Sequence, residues 1–260
     1  MNIPALDSTT LENILSEVPQ ACTLTQKDVT RFWYGNKGNF KENSHNIADT
    51  MRWRQSFRYD SILEEDFSDL IGAQKVFFHG NAKDGTPILI WRSCKHLVNV
   101  AERSREIRFY VWILVKAEQE GILTDKITII YDRSHATKAN TDLGLAKEAF
   151  PIFQRHFPER LKSIFVFPSS FLLTSLWQCI KPFIDPVTAQ KIRIWKENEY
   201  RTKILEYVDS SNLLERFGGS GVETTAISIG TETVERFGPN SPQFTCKVDA
   251  ITRPTPTRVT

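Results

Sequence analysis

Short apolar runs separated by longer helical segments are the feature of this 260-residue sequence that most constrains its fold. The runs Ile127 to Tyr131 and Ser163 to Phe167 are rich in β-branched and aromatic residues, and they predict strands buried on both faces. The segment between them, Leu143 to His156, is predicted to be a helix. Because parallel strands need such a crossover helix, this order predicts an α/β fold with a largely parallel sheet.

A hairpin is predicted to start the sheet. Val76 to His79 and Ile88 to Trp91 both have the composition of strands, and the Asp84-Gly85 pair between them is a strong tight-turn signal. A last strand is expected from Lys191 to Trp195. The predicted sheet is therefore mixed, with one antiparallel pair and otherwise parallel strands.

The N-terminal part contains little strand signal and predicts a small helical lobe. An amphipathic helix is expected to end at Pro19, with Thr9 or Thr10 capping its start. A second helix is expected from about Asn43 to Phe57, where apolar residues pair at i, i+4. Beyond this lobe, the helix from Arg105 to Glu120 has little polar face, which indicates burial on most sides.

These patterns divide the chain into three parts. The helical lobe is predicted over residues 1–75 and the α/β domain over residues 76–219. After Phe217-Gly218-Gly219 the composition shifts to Ser, Thr, Gly and Pro without a helical period. Residues 220–260 are therefore expected to form a flexible C-terminal tail.

Charge, cysteines and hydropathy exclude several classes of protein. A net charge of +2 gives no strong field toward nucleic acid, so no nucleic-acid partner is expected. The sequence contains neither a signal-peptide pattern nor an apolar run of roughly eighteen residues. The cysteines Cys22, Cys94, Cys179 and Cys246 are far apart and are expected to be reduced thiols. We expect a cytoplasmic protein whose membrane contact is peripheral.

Motifs of catalysis and metal binding are missing from the sequence. It contains no G-x-G-x-x-G, Walker A or G-x-S-x-G motif. The five histidines are scattered, and none lies at i, i+4 from another, which argues against a zinc helix. We therefore predict that the chain is not an enzyme and has no catalytic residue, no metal and no cofactor.

The segment from Phe171 to Ile184 is unusually apolar, with Leu172, Leu176 and Trp177 among its residues. Periodicity alone allows two interpretations. The segment is either a core helix or a lid over an apolar cavity.

Two stretches of sequence favour the lid, because they resemble a known family. Phe157 to Leu161 reads FPERL, and Lys181 to Ile192 reads KPFIDPVTAQKI. Both closely resemble marks of the CRAL-TRIO family, and in particular of its yeast-type phosphatidylinositol-transfer proteins. Further similar stretches are Trp53-Arg54, Lys83 to Pro87 and Phe217 to Gly219, so the resemblance covers about three quarters of the chain.

The resemblance implies an N-terminal lobe of the CRAL-TRIO type and a sheet that floors a lipid pocket, with Phe171 to Ile184 as its gate. The implied ligand is one phosphatidylinositol or other hydrophobic lipid, which the protein would exchange with membranes or present to a lipid kinase. The alternative is a non-catalytic regulatory or scaffold module in signalling or vesicle trafficking.

The resemblance also implies a headgroup site. Its glutamate falls on Glu159, its threonine and lysine fall on Thr188 and Lys191, and the lysine of its helical lobe falls on Lys37. From the residues alone, Thr188 and Lys191 would share one helix face, and a solvated salt bridge between Glu159 and Lys191 is the simpler interpretation.

The sequence departs from the family pattern in two places. The arginine beside the helical-lobe lysine is replaced by Asn36, which removes one cationic contact. A hydroxyl pair that contacts phosphocholine is replaced by Ile127 and Ile129, which we expect on the apolar pocket floor. These departures argue against phosphatidylcholine as the exchange partner and leave inositol lipid as the expected ligand.

Overall fold

A five-stranded mixed sheet forms the centre of the fold in the computed structural model, which describes residues 3–221 apart from the side chains of Leu172 and Leu176. The first two strands are antiparallel and the others are parallel, in the spatial order β1-β2-β3-β4-β5. The strands are β1 (Val76–Asn81), β2 (Pro87–Arg92), β3 (Ile127–Asp132), β4 (Leu161–Phe167) and β5 (Ile192–Ile194). The predicted α/β class with a mostly parallel mixed sheet is confirmed.

Helices surround this sheet and also form the N-terminal lobe. In chain order they are α1 (Ser8–Glu17), α2 (Gln26–Gly35), α3 (Phe40–Phe57), α4 (Ser68–Gly72), α5 (Arg103–Gln119), α6 (Leu143–His156), α7 (Phe171–Ile180), α8 (Pro186–Gln190) and α9 (Glu197–Lys203). Within residues 3–221, none of them combines the length and apolar character that a membrane span requires.

The helical lobe has its own apolar core, in which Ile14, Phe32 and Ile47 are buried together. The predicted capping of α1 was wrong. Its N-cap is Asp7, whose carboxylate accepts from the Thr10 backbone N–H at 2.7 Å, because an acidic side chain one turn earlier satisfies the free amides of the first turn. Helix α2, which begins with a capping box of Thr25 and Asp28, was not predicted from periodicity as a separate helix.

The two faces of the sheet are covered by different elements. On one face, which we call the α5 face, α5 and α6 pack over Phe78, Leu89 and Ile127. On the other, the α9 face, Tyr200 and Phe217 pack over Ile90, Ile130 and Phe165. The predicted burial of the helix from Arg105 to Glu120 is confirmed in α5, which also begins slightly earlier than expected. Most of the predicted tail, residues 222–260, lies outside the described residues.

Candidate functional site

Three charged side chains meet where β3, β4 and β5 begin, an edge of the sheet that we call the N-terminal edge. The Glu159 carboxylate, just before β4, lies 3.8 Å from the Nζ of Lys191, just before β5. The same carboxylate lies 3.4 Å from the Nζ of Lys126, just before β3. All three side chains are half-buried. Because neighbouring parallel strands start at the same edge, their preceding residues are brought together although they are distant in sequence.

Lys191 is held in place by the short helix α8. Asp185 caps this helix by accepting from the Thr188 N–H at 2.9 Å, and Pro186 occupies its first position. The Lys191 carbonyl then accepts from the Ile164 N–H at 2.9 Å, which joins the end of the helix to β4. Thr188 lies one turn before Lys191 on α8 and is half-buried.

Lys37 lies beside this cluster rather than within it. It follows α2 with a left-handed φ of 55°, and within residues 3–221 its exposed side chain has no ion-pair partner. Two residues earlier, Gly35 packs so closely on the turn before β4 that a Cβ there would lie 3.0 Å from the Cβ of Pro158. The loop of Lys37 is thus adjacent to Glu159. Asn36 has a structural role, since it donates to the Phe32 carbonyl and accepts from Asn46.

Sequence comparison with the family missed Lys126, because it belongs to neither of the two quoted motifs. It is, however, the residue directly before a predicted parallel strand. Counting which charged residues precede each parallel strand would have placed it at the same edge as Glu159 and Lys191.

Arg160, the neighbour of Glu159, links the sheet to the helical lobe. It donates to the Asp125 carbonyl at 2.9 Å, forms an ion pair with Glu118 of α5 and lies 3.7 Å from Asp28 of α2. Burial lowers the pKa of Arg160 to about 10. A polar cavity of about 200 Å³ lies at this junction, next to His156. These contacts fix the turn that presents Glu159.

Helix α7 is tied down at both of its ends. Before it, the Ser169 N–H donates to the Trp195 carbonyl at 2.7 Å, and Ser170 caps the helix. After it, the Gln154 side chain of α6 donates to the Phe183 carbonyl at 2.8 Å and accepts from the Asp185 N–H at 2.7 Å. The helix therefore runs from the C-terminal edge of the parallel strands, where β4 ends, back to the N-terminal edge, where β5 begins.

Side chains of α7 point both inward and outward. Leu173 and Ile180 are buried and Trp177 is half-buried, whereas Phe171 is 88% exposed. The side chains of Leu172 and Leu176 lie outside the described set. The helix thus has an apolar inner side together with an exposed aromatic ring at its start.

Two rows of mostly apolar side chains cross the α5 face near α7. Register aligns Ile129 with Ile164 and Ile192 in one row, and Tyr131 with Val166 and Ile194 in the next. Except for Val166, these side chains are only half-buried, whereas Phe165 and Phe167 on the α9 face are buried. We call the two rows the apolar floor. Ile127, also expected on the floor, is buried in the core packed against α5.

Comparison with known proteins agrees with these features. The family profile described as "CRAL/TRIO domain" matches residues 72–219. The chain is 26% identical over 212 residues to the SEC14 cytosolic factor of Yarrowia lipolytica, covering 74% of this chain and 42% of that protein. It is 26% identical over 213 residues to the phosphatidylinositol/phosphatidylcholine transfer protein SFH12 of Arabidopsis thaliana, covering 73% and 38%. The chain thus spans about two fifths of the length of these relatives.

Among solved structures, the fold is similar to that of Sfh5, with a TM-score of 0.65 and 13% identity. That similarity covers 89% of this chain and 94% of the other. The family profile matches more than half of the chain. The chain belongs to the CRAL/TRIO domain family.

Proposed function

We propose that this protein holds one phosphatidylinositol or other hydrophobic lipid between the apolar floor and α7, and exchanges it with membranes. The observation that carries the proposal is the Glu159–Lys191 contact of 3.8 Å at the edge of that floor. The name of one relative, a phosphatidylinositol/phosphatidylcholine transfer protein, supports the same function.

The edge cluster has the chemistry that an inositol phosphate requires. Lys191 and Lys126 supply ammonium groups for the phosphate, and the Glu159 carboxylate accepts hydrogen bonds from ring hydroxyls. Lys37 on the adjacent loop adds a third cation, and Thr188 adds a hydroxyl. A half-exposed salt bridge such as Glu159–Lys191 contributes only about 0–1 kcal/mol to the free energy of unfolding. Stabilisation of the fold therefore does little to explain why this pair is present.

The lid follows from the energetics of moving a lipid through water. Exposing one methylene costs about 0.8 kcal/mol, so two chains of about sixteen carbons cost roughly 25 kcal/mol. A transfer protein must therefore offer an apolar enclosure, and an enclosure that stayed open would expose a large apolar patch. A helix that is anchored at both ends and opens against a bilayer meets both requirements, and we propose that α7, which is anchored at both ends, is this helix.

The surface around the start of α7 is suited to a membrane. Phe171, Leu97 and Val100 are 88%, 70% and 68% exposed, and all lie at the C-terminal edge of the sheet. The exposed cations Lys95 and Lys138 lie in loops at the same edge. Exposed apolar side chains with nearby lysines bind anionic bilayers through burial and charge together. We propose a cytoplasmic protein that contacts membranes transiently through this edge, and presentation of the lipid to a lipid kinase is one use of that contact.

The ligand is best identified on purified protein. We expect native mass spectrometry to show one bound lipid per chain, and phosphatidylinositol to be preferred to phosphatidylcholine, because Ile129 offers no hydrogen bond to phosphocholine. Protein that carries no lipid and takes none from vesicles would contradict the proposal.

The headgroup site is tested by Lys191→Ala. We expect this variant to lose at least tenfold in phosphatidylinositol transfer between vesicles, since a charge-assisted contact to phosphate contributes about 1.5–3 kcal/mol. Its melting temperature should not change, because a half-exposed lysine contributes little to stability. Lys162→Ala, which removes an exposed lysine from β4 outside the cluster, is the control. Equal transfer by both variants would remove the assigned headgroup site.

A further inference from the structure

Arg133 lies at the far end of the apolar floor from the headgroup cluster. It directly follows β3, and its N–H donates to the Phe167 carbonyl at 2.7 Å, so the ladder between β3 and β4 continues through it. Asp132 points to the α9 face, where it lies 3.3 Å from Arg216. Because side chains alternate along a strand, Arg133 lies on the α5 face with Tyr131, next to the start of α7.

The guanidinium of Arg133 is buried without a counter-charge. The residue is only 5% exposed, and its Nε and Nη1 have no hydrogen-bond partner among residues 3–221. The guanidinium lies beside the Tyr131 hydroxyl, whose pKa is raised by burial, and it acts to lower the pKa of that group. Its Nη2 donates to the Thr141 hydroxyl at 3.5 Å, which is the limit of a hydrogen bond. Within residues 3–221 no carboxylate lies within ion-pair distance of it. The buried Arg31, by contrast, pairs with Asp28 at 2.8 Å, and the buried Lys75 pairs with Glu106 at 2.7 Å.

Such a group needs an anion. Burial of an unpaired charge is among the most costly features of a fold, and water could satisfy the N–H groups but not the charge. An apolar surface lies next to it. Tyr131, two residues earlier on the same face, is only half-buried, and it belongs to the second row of the apolar floor.

We infer that Arg133 binds the carboxylate of a long-chain fatty acid whose hydrocarbon chain lies along the apolar floor. One carboxylate balances one guanidinium, whereas a phosphomonoester dianion would leave an excess buried charge and a phosphodiester would bring a second polar headgroup into the apolar space. The ligand would be inverted relative to phosphatidylinositol, because the two polar sites lie at opposite edges. β4 has 7 residues, so the edges are separated by roughly 20 Å at ~3.3 Å per residue. The inference rests on the proposed lipid cavity and adds a second ligand class to it.

The test compares a fluorescent polyene fatty acid with its methyl ester, which has the same chain but no charge. We expect the wild-type protein to bind the acid at least tenfold more tightly than the ester. In Arg133→Met the two should bind equally, because the chain contacts remain while the charge contact is lost. Arg133→Lys should retain part of the preference, and Lys162→Met, which changes an exposed lysine of β4 outside both polar sites, should retain all of it.

Stability provides a second measurement. Without ligand, Arg133→Met should melt at the same or a higher temperature than the wild type, because it replaces an unpaired buried charge with an apolar side chain of similar length. Phosphatidylinositol binding, measured on the same variants, should be unchanged. If wild type does not distinguish acid from ester, or if Arg133→Met still does, the inference is wrong even where phosphatidylinositol binding persists. Failure of the wild-type protein to bind phosphatidylinositol would instead contradict the proposed function.

Discussion

At the scale of single residues, motif and topology each identified part of the candidate site. Glu159 and Lys191 were predicted from the family motifs, and they meet because each precedes a parallel strand. Lys126 was missed, since no motif contains it and its role depends only on where β3 begins. Arg133 could not have been predicted from sequence at all. Its distance from the carboxylates of residues 3–221 depends on which face of the sheet it occupies, and an arginine after a strand is not unusual.

His156 is a residue whose burial has a measurable consequence. Its ring stacks on Trp53 with centroids 4.3 Å apart, and its Nδ1 lies 2.9 Å from the Thr50 hydroxyl. Burial, with smaller contributions from Arg155 and Arg54, lowers its pKa from 6.5 to about 4. The folded protein therefore binds this proton less readily than the unfolded chain does.

The sign of the pH dependence follows from that difference. Between pH 6.5 and about 4 the unfolded chain carries the His156 proton and the folded protein does not, so stability falls as pH falls through this window. We predict that His156→Gln flattens this part of the curve of unfolding free energy against pH, measured by urea denaturation. His45→Gln, at an exposed histidine of α3, is the control. An unchanged slope in His156→Gln would contradict the assigned pKa shift.

At the scale of elements, periodicity predicted the central strands and α6 well, because buried strands and amphipathic helices have distinct spacing. Helix α6 begins and ends where it was predicted, from Leu143 to His156. Helix starts were less predictable, since a cap depends on one side chain. The last strand was expected from Lys191 to Trp195 but spans only Ile192–Ile194, because its first residue closes α8 instead.

The anchoring of α7 by Gln154 leads to a prediction about the gate. Gln154→Ala removes both hydrogen bonds that hold the segment after α7, at Phe183 and Asp185. We expect faster hydrogen exchange in residues 171–185 and faster loss of bound lipid, because closing the helix orders it. Gln55→Ala, at an exposed position of α3, should leave both rates unchanged.

Lipid loading provides the complementary comparison. Wild-type α7 should gain exchange protection when the protein takes up lipid from vesicles. Equal exchange of α7 with and without lipid would refute a movable gate, and the transfer mechanism would then have to be withdrawn.

The exposed apolar edge predicts how the protein meets a bilayer. Phe171→Asp and the double variant Leu97→Asp/Val100→Asp should each weaken binding to anionic vesicles in a sedimentation assay, because they place a carboxylate where an apolar side chain would enter the interface. Phe40→Asp, which changes an exposed aromatic residue of the helical lobe, is the matched control. If the control weakens binding as much as Phe171→Asp does, the lobe rather than this edge faces the membrane.

At the scale of the whole molecule, the division into a helical lobe over residues 1–75 and a sheet domain over residues 76–219 stays a prediction. The sequence contains no sign of how closely the two parts are joined, because the joining contacts come from residues far apart in the chain. Gly35 packs on Pro158, and Arg160 connects to Asp28 and Glu118. A headgroup site that takes Lys37 from the lobe and Glu159 from the domain depends on this junction.

Arg160 is therefore expected to couple the two parts. Its side chain is 12% exposed, and Arg160→Met would leave the carboxylates of Asp28 and Glu118 without this partner. Losing the charge-assisted contacts of this mostly buried guanidinium costs about 1.5–3 kcal/mol, which lowers Tm by roughly 5–10 °C in a domain of this size. Arg105→Met removes a more exposed pair with Asp69 and should cost at most about 1 kcal/mol. We expect calorimetry to show one unfolding transition for the wild type and for Arg105→Met, and a lower melting temperature for Arg160→Met. Two transitions in the wild type, or equal decreases in melting temperature in both variants, would show that the helical lobe and the sheet domain are not coupled through Arg160.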